Sequence, residues 1–312
     1  MLNVTDYPWL SVYGFGAHIK STQRKLIIQH KGQVEEYPLE SVKHLLLVGG
    51  HNFNSTTVAH LLKNGSCISF FEPDGTPVGI VQQFGPVKDE NLLNLQQNCS
   101  RHRFALSLAQ SSLKSRLFAI ERMQELQKRG LFYEGESEFL QKSLEEISFL
   151  IKIDEIRRLH RLTTDMYYEI MSRSLSPDSG FRRRTPRPHN DPVNAMLSFG
   201  YSMLFGNCCV AVTGAGLNPD FGLMSDGKGS LVYDLIEPLK IEMIDEPVFT
   251  VARDLLKKAD FEQTPSRCLL SDEMMKKLIN IFQTTLDNKK IDSQVYNFYT
   301  SLKNGSDFKV MY

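Results

Sequence analysis

The feature that most constrains this chain is an apolar run that opens with Asp191-Pro192 and continues from Val193 to Val212 without another proline. Aspartate offers a capping oxygen. Proline at the first helical position has φ already set and lacks the amide hydrogen that would go unpaired there. Gly214 and Gly216 then close the run, which reads as one helix of ~20 residues. That length approaches a bilayer span, but Asn194, Ser198, Ser202 and Asn207 interrupt its apolar character, so a helix in a protein core is the better reading and no membrane association is expected. The segment from His189 to Lys240 is therefore the expected centre of the molecule, with the other elements arranged around it.

A chain of 312 residues can bury a full core and is expected to form two domains. Its 36 basic and 36 acidic residues cancel, which removes any global field toward nucleic acid or membrane and leaves only local patches. Cys67, Cys99, Cys208, Cys209 and Cys268 are odd in number and lack zinc-site spacing, so they read as reduced thiols of a cytoplasmic protein. Asp6 and Pro8 interrupt the N-terminus before any apolar signal core develops.

The first ~85 residues have the period of strands. Lys25 to His30 leads through a Lys31-Gly32 turn into Gln33 to Tyr37, a hairpin pattern. Val42 to Val48 and Cys67 to Phe71 are further apolar runs, Asn54 caps a short helix over Val58 to Lys63, and Asp74-Gly75 marks a turn. Beyond a linker the period becomes 3.6. One long helix carries Phe104, Leu108, Ser111, Ser115 and Phe118 and ends near Gly130. A second covers Ser137 to Ser174 with a break near Ile151. Helices at Pro247 to Lys258, Ser271 to Asp287 and Ser293 to Lys303 make the remainder all helical. The fold class is thus α+β: a small β-rich domain at residues 1–85, a linker at 86–91 and a larger helical domain at 92–312.

Four groups of residues invite a chemical reading. Arg101, Arg103, Lys114, Arg116, Arg122, Lys128 and Arg129 decorate the first long helix and are read as a solvated face. His160 shares a stripe with Phe149, Ile153, Ile156 and Tyr167, so it is read as a hydrogen-bonded core histidine. Arg182, Arg183, Arg184 and Arg187 lie in a loop stiffened by Pro186 and Pro188, where guanidinium forks suit phosphate oxygens. If a helix starts at Ser230, Asp234 and Glu237 fall on one face and can offer oxygens to a hard cation; Glu237 alone is read as a solvated carboxylate before Pro238.

The block from Phe181 to Lys240 resembles the CRISPR adaptation integrase, a metal-dependent DNA endonuclease family that acquires spacers for antiviral defence. The matching pieces are Phe181 with Arg184, Arg187-Pro188, Asp191 through Tyr201, Gly216-Leu217-Asn218-Pro219 with Gly222, Ser230-Leu231, Asp234-Leu235 and Glu237-Pro238. Gly16 with His18, Pro38-Leu39, Gly50, Ser55-Thr56 and Asp74 through Pro77 extend the likeness to the first half. The resemblance implies a β domain that forms a homodimer. It also implies a helical domain that uses Mn2+ or Mg2+ on duplex or branched DNA, a small second adaptation protein as partner, and DNA contacts through Arg182, Arg183, Arg184, Arg187 and Asn194.

Two of the three metal ligands implied by the resemblance are replaced here. His160 stands at the glutamate position, seven residues before Tyr167, and Ser225 stands at the histidine position after Gly222-Leu223-Met224. Only Asp234 matches. Placing the glutamate at Glu169 instead would slide the helix by nine residues against the other landmarks. The first reading is therefore an integrase-type DNA-binding protein with weakened or lost catalysis. The alternatives are an active nuclease or integrase with a site rebuilt from Asp234, Glu237, Asp226 and His160, and a non-catalytic dimeric interaction scaffold.

Overall fold

The computed structural model describes residues 3, 5–83, 90–264 and 267–312. Its N-terminal strands are β1 (Trp9–Tyr13), β2 (His18–Ser21), β3 (Lys25–His30), β4 (Gln33–Pro38), β5 (His44–Val48) and β6 (Asn52–Phe53), followed by helix α1 (Ser55–Lys63) and strands β7 (Cys67–Phe71) and β8 (Pro77–Val81). They form two four-stranded sheets, β1-β5-β7-β8 and β4-β3-β2-β6. The expected hairpin is β3 with β4; Lys31 at φ 50 and Gly32 at φ 80 supply the two left-handed residues that its tight turn requires. Asn54 caps α1, its Oδ1 accepting from the Thr57 amide at 2.8 Å.

Strand β5 joins the two halves of the protein. All five of its residues are buried, as in a strand covered on both faces. Leu45 and Leu47 point into a core with Ile19, Leu26 and Leu39, whereas Leu46 and Val48 point with Trp9 into the larger core shared with the helices. The indole of Trp9 also donates to Asp292 at 3.0 Å.

Residues 86–89 of the expected linker lie outside the described residues, and Glu90 and Asn91 stand in the first turn of α2 (Glu90–Gln97). The helices α3 (Arg101–Gln127), α4 (Glu136–Glu146) and α5 (Ile153–Ser172) follow. The break anticipated near Ile151 is a 3-10 turn at Ile147–Phe149 followed by extended Leu150. Two stripe assignments are corrected here: Phe118 is 52% and Phe149 81% exposed, the latter because it belongs to this turn and not to α5.

The apolar run is α6 (Pro192–Gly214), and Asp191 accepts from the Asn194 amide at 2.8 Å as its cap. Val193, Leu197, Leu204, Cys208, Val210 and Val212 are fully buried inside the protein. The Asp74-Gly75 turn lies directly on this helix: a Cβ on Gly206 would sit 1.7 Å from the Asp74 carbonyl oxygen, so only glycine fits.

After α7 (Ser230–Ile236) a π-helical turn at Ile241–Asp245 runs into α8 (Glu246–Asp254), which ends before the expected Lys258. The expected all-helical remainder contains an antiparallel pair, β9 (Phe261–Gln263) and β10 (Cys268–Leu270), whose three-residue strands are too short to show a period. Then come α9 (Asp272–Thr285), capped by Ser271, and α10 (Asn288–Asn304), which starts five residues earlier than expected because Asp287 caps it.

Candidate functional site

Helices α3, α5 and α7 meet the loop 222–226 around a cavity of about 460 Å³ lined by Arg157, His160, Ser225, Asp226, Asp234, Glu237 and Lys240 among others. The loop is turned tightly at Gly222, where a Cβ would fall 2.4 Å from the Ser225 carbonyl oxygen. That turn aims three successive amides at one carboxylate. Asp234 Oδ2 accepts from the amides of Leu223 at 2.6 Å, Met224 at 2.8 Å and Ser225 at 3.1 Å, and Oδ1 accepts from Ser225 at 3.1 Å. Asp234 is 1% exposed. Burial pushes its carboxyl up from the usual range while the loop donors pull the other way.

The solvated reading of Glu237 is overturned, because its side chain is 14% exposed and sits among cations. Arg116 Nη2 donates to Oε1 at 2.7 Å and Lys240 Nζ to Oε2 at 2.5 Å. Burial raises its carboxyl, but Lys240, His160 and Arg116 outweigh it and hold it at about 2. Arg116 itself is 2% exposed, so it is not part of a solvated face. The sequence did hold a signal: Arg116 falls on the stripe of Ala109, Leu113 and Ile120, where an arginine must find a buried partner.

The stripe assignment of His160 stands, since the side chain is 15% exposed and points inward. Its Nε2 lies 3.2 Å from Arg116 Nη2 and 3.6 Å from Glu237 Oε1. Arginine only donates, so Nε2 accepts and the ring is neutral. Burial and the Arg116 charge together lower its pKa to about 3. Asp226 faces outward and bonds Arg101 at 2.9 Å and Arg157 at 2.5 Å.

This donor set does not suit a manganese or magnesium ion. Asp234, Glu237, Asp226 and His160 each already accept from a protein donor, and no group of three or more potential metal-ligating side chains occurs among the described residues. A hard dication needs several free oxygens and an excess of negative charge. Here Arg101, Arg116, Arg157 and Lys240 stand against Asp154, Asp226, Asp234 and Glu237, a balanced cluster. The rearranged cage of Asp234, Glu237, Asp226 and His160 is therefore not assembled.

The arginine loop lies beside this cavity and divides its residues in two. Arg182, Arg183 and Arg187 are exposed. Arg184 turns inward, donating to Asn194 Oδ1 at 2.7 Å, the Asn194 carbonyl at 3.1 Å and Ser198 Oγ at 3.0 Å. Asn194 is 0% exposed and also donates to the Arg183 carbonyl at 2.9 Å and Asp191 at 2.7 Å, so it builds the loop and is not at the surface where DNA contact was expected. The peptide bond between Arg187 and Pro188 is cis.

Tyr201 joins the two features. The Arg184 guanidinium lies 5.2 Å and the Lys240 ammonium 5.1 Å from its ring. Its hydroxyl donates to Asp245, a fully buried carboxyl pushed up to about 7 by burial. Arg157, Lys240 and Tyr201 were not singled out from sequence as site residues; only their place in the fold reveals them.

Comparison with known proteins identifies the family and the fold. The sequence profile of the family described as CRISPR associated protein Cas1 matches residues 10–284. A putative CRISPR-associated endonuclease Cas1 2 of Methanospirillum hungatei is 38% identical over 299 residues, covering 96% of this chain and 99% of its own length. Among solved structures, a casposase bound to integration product superposes with a TM-score of 0.82 at 17% identity, covering 97% of this chain and 99% of that one. A partial Cas6-RT-Cas1–Cas2 complex contains a chain with a TM-score of 0.76 at 23% identity, covering 99% of both.

Proposed function

The chain belongs to the Cas1 family of CRISPR-associated proteins, and we propose that it is an integrase-type DNA-binding member whose metal-dependent catalysis is weakened or lost. The observation that carries this reading is the pairing of an intact arginine loop with a cavity whose carboxylates are all held by protein donors. Exposed guanidiniums on a loop anchored by Arg184 and Asn194 can grip phosphates without an entropic penalty for ordering the loop. The cavity next to them lacks the free oxygen ligands through which a divalent ion would polarise a phosphodiester.

In this reading residues 1–85 form the dimerisation domain and residues 92–312 hold the DNA. The second adaptation protein, Cas2, is the expected partner, consistent with a fold neighbour described in a complex with it. The setting is the cytoplasm, where spacer acquisition takes place.

The test is binding and cleavage of duplex and branched DNA by the purified protein in Mn2+, alongside the Arg182→Ala/Arg183→Ala/Arg187→Ala variant and Asp234→Asn. Salt-sensitive binding that the arginine variant loses, without cleavage, is the expected result. Cleavage that disappears in Asp234→Asn would instead establish an active site and overturn the loss of catalysis. Duplex binding that the arginine variant retains in full would remove the DNA-binding role of the loop and favour an interaction scaffold.

A further inference from the structure

Building on the DNA-binding reading, we propose that Lys240 is the resident cation of the cavity: it contacts a DNA phosphate where the family would place a metal ion, so DNA engages this chain without a divalent cation. Of the two cations that line the cavity, Lys240 has the less compensated charge, because it shares its one carboxylate, Glu237, with Arg116. Arg157 donates to the Met224 carbonyl, to Asp154 at 3.2 Å and to Asp226 at 2.5 Å, so two carboxylates already face its charge and all three nitrogens are anchored. The ammonium of Lys240 has three hydrogens and gives one to Glu237 at 2.5 Å. Its second neighbour, the Tyr201 ring at 5.1 Å, is a soft contact that leaves hydrogens for a phosphate oxygen.

Position and charge support the same assignment. Lys240 and Arg184 both approach the Tyr201 ring, so the cavity cation and the arginine loop share one aromatic wall. Arg187 reaches Ser198 and Ser202, on the same helix as Tyr201, so a strand gripped there passes near Lys240. Charge excludes the alternative occupant: the cluster is neutral as built, and a dication would add two uncompensated charges to a half-buried site. A lysine ammonium binds phosphate as a point charge and needs no rearrangement of these pairs.

The experiment has two parts on the full-length protein. The first is a manganese titration followed by the electron paramagnetic resonance signal of free Mn2+, which needs no variant. The second is duplex affinity at several salt concentrations in EDTA and in Mn2+ for wild type, Lys240→Gln and Lys240→Arg. Glu237 keeps Arg116 in both variants, and a thermal melt checks that each is folded. The proposal expects no bound manganese, equal affinity with and without EDTA, and a salt slope for Lys240→Gln shallower by about 0.9, the share of one phosphate, restored in Lys240→Arg. One manganese bound per chain, a fall in affinity in EDTA, or an unchanged slope in Lys240→Gln would each overturn it. The arginine variant separates the two readings: if it loses binding while Lys240→Gln does not, the DNA-binding function stands and Lys240 is excluded. A wild type that binds no duplex at all overturns both.

Discussion

The arginine loop and the cavity beside it are built from the same kinds of residue and use their charges in opposite ways. In the loop one arginine, Arg184, turns inward onto Asn194 and Ser198, and this anchor leaves Arg182, Arg183 and Arg187 facing solvent. In the cavity every carboxylate is met by a donor from the protein itself, whether the amides of residues 223–225, Arg116 with Lys240, or Arg101 with Arg157. A site whose charges are satisfied internally gains cohesion and gives up the affinity for a cation that free carboxylates would create. The loop instead concentrates its satisfaction in one residue and keeps the others available. That difference separates a surface whose charges stay open to a partner from a pocket whose charges are closed among themselves.

The sharpest way to break the comparison is in the cavity. Arg116→Met removes one partner of a buried pair, and although Lys240 still reaches Glu237, unfolding in urea is expected to show a loss of about 3 kcal/mol. A loss near zero would mean that Glu237 is solvated in solution and that the cluster does not hold α3 to α7. Next in size is the anchor of the loop. Asn194→Ala leaves the Arg183 carbonyl and the Thr185 amide without their side-chain partner and is expected to cost about 2 kcal/mol. Duplex affinity should fall with it, since Arg184 loses its main acceptor. Unchanged affinity in a folded Asn194→Ala protein would show that the exposed arginines do not depend on the anchor.

How far each region was legible in sequence follows from the range of its contacts. The capped helix α6, the β3-β4 hairpin and the helix α1 are local devices, written in Asp191-Pro192, Lys31-Gly32 and Asn54, and all are present. His160 and Ser225, the positions to which the resemblance assigns ligands, were counted from neighbouring landmarks, and both line the cavity. The partners of Glu237 were not visible. Arg116 lies 121 residues away in sequence, and charge patterning along α3 could not tell it from the solvated arginines around it. Only its position on the stripe with Leu113 and Ile120 distinguished it. Likewise, Asn194 matched a DNA-side motif by sequence, while its burial depends on Arg184 folding back by ten residues.

Acid sharpens the contrast by a smaller amount. His160 is neutral beside Arg116, Lys240 and Glu237, and its pKa of about 3 lies below the usual 6.5, so between those values the unfolded chain binds the extra proton. The stability that this ring contributes is therefore complete above 6.5 and falls as the pH drops through that window. Glu237, held at about 2 against a usual 4.5, adds a second loss below 4.5. Asp245, held at about 7, gains stability over the same window. The quantity to follow by urea unfolding is therefore the difference in unfolding free energy between wild type and His160→Gln, which should shift against wild type by about 1 to 2 kcal/mol from pH 6.5 to about pH 5. His44, lowered to about 4 by burial, and Asp245 titrate alike in both proteins and cancel in that difference, so a difference that stays constant with pH would show that His160 is not the neutral, buried ring described here.

The smallest expected effect on stability belongs to the loop, and it is the one that ties the comparison to function. Replacing Arg182, Arg183 and Arg187 together by alanine breaks no close pairing; Arg187 has long contacts to the Ser198 carbonyl and to Ser202, at 3.4 and 3.3 Å. The urea midpoint should stay where it is, as expected for solvated side chains. The salt dependence of duplex binding should change instead, by about 0.9 in slope for each phosphate that is no longer neutralised. A chain can keep an arginine exposed at no gain in stability when the residue serves a partner, and a variant that loses DNA but not stability would have that signature. A variant that loses stability instead would mean that these arginines are bound into the fold like those of the cavity, and the distinction between the two regions would disappear.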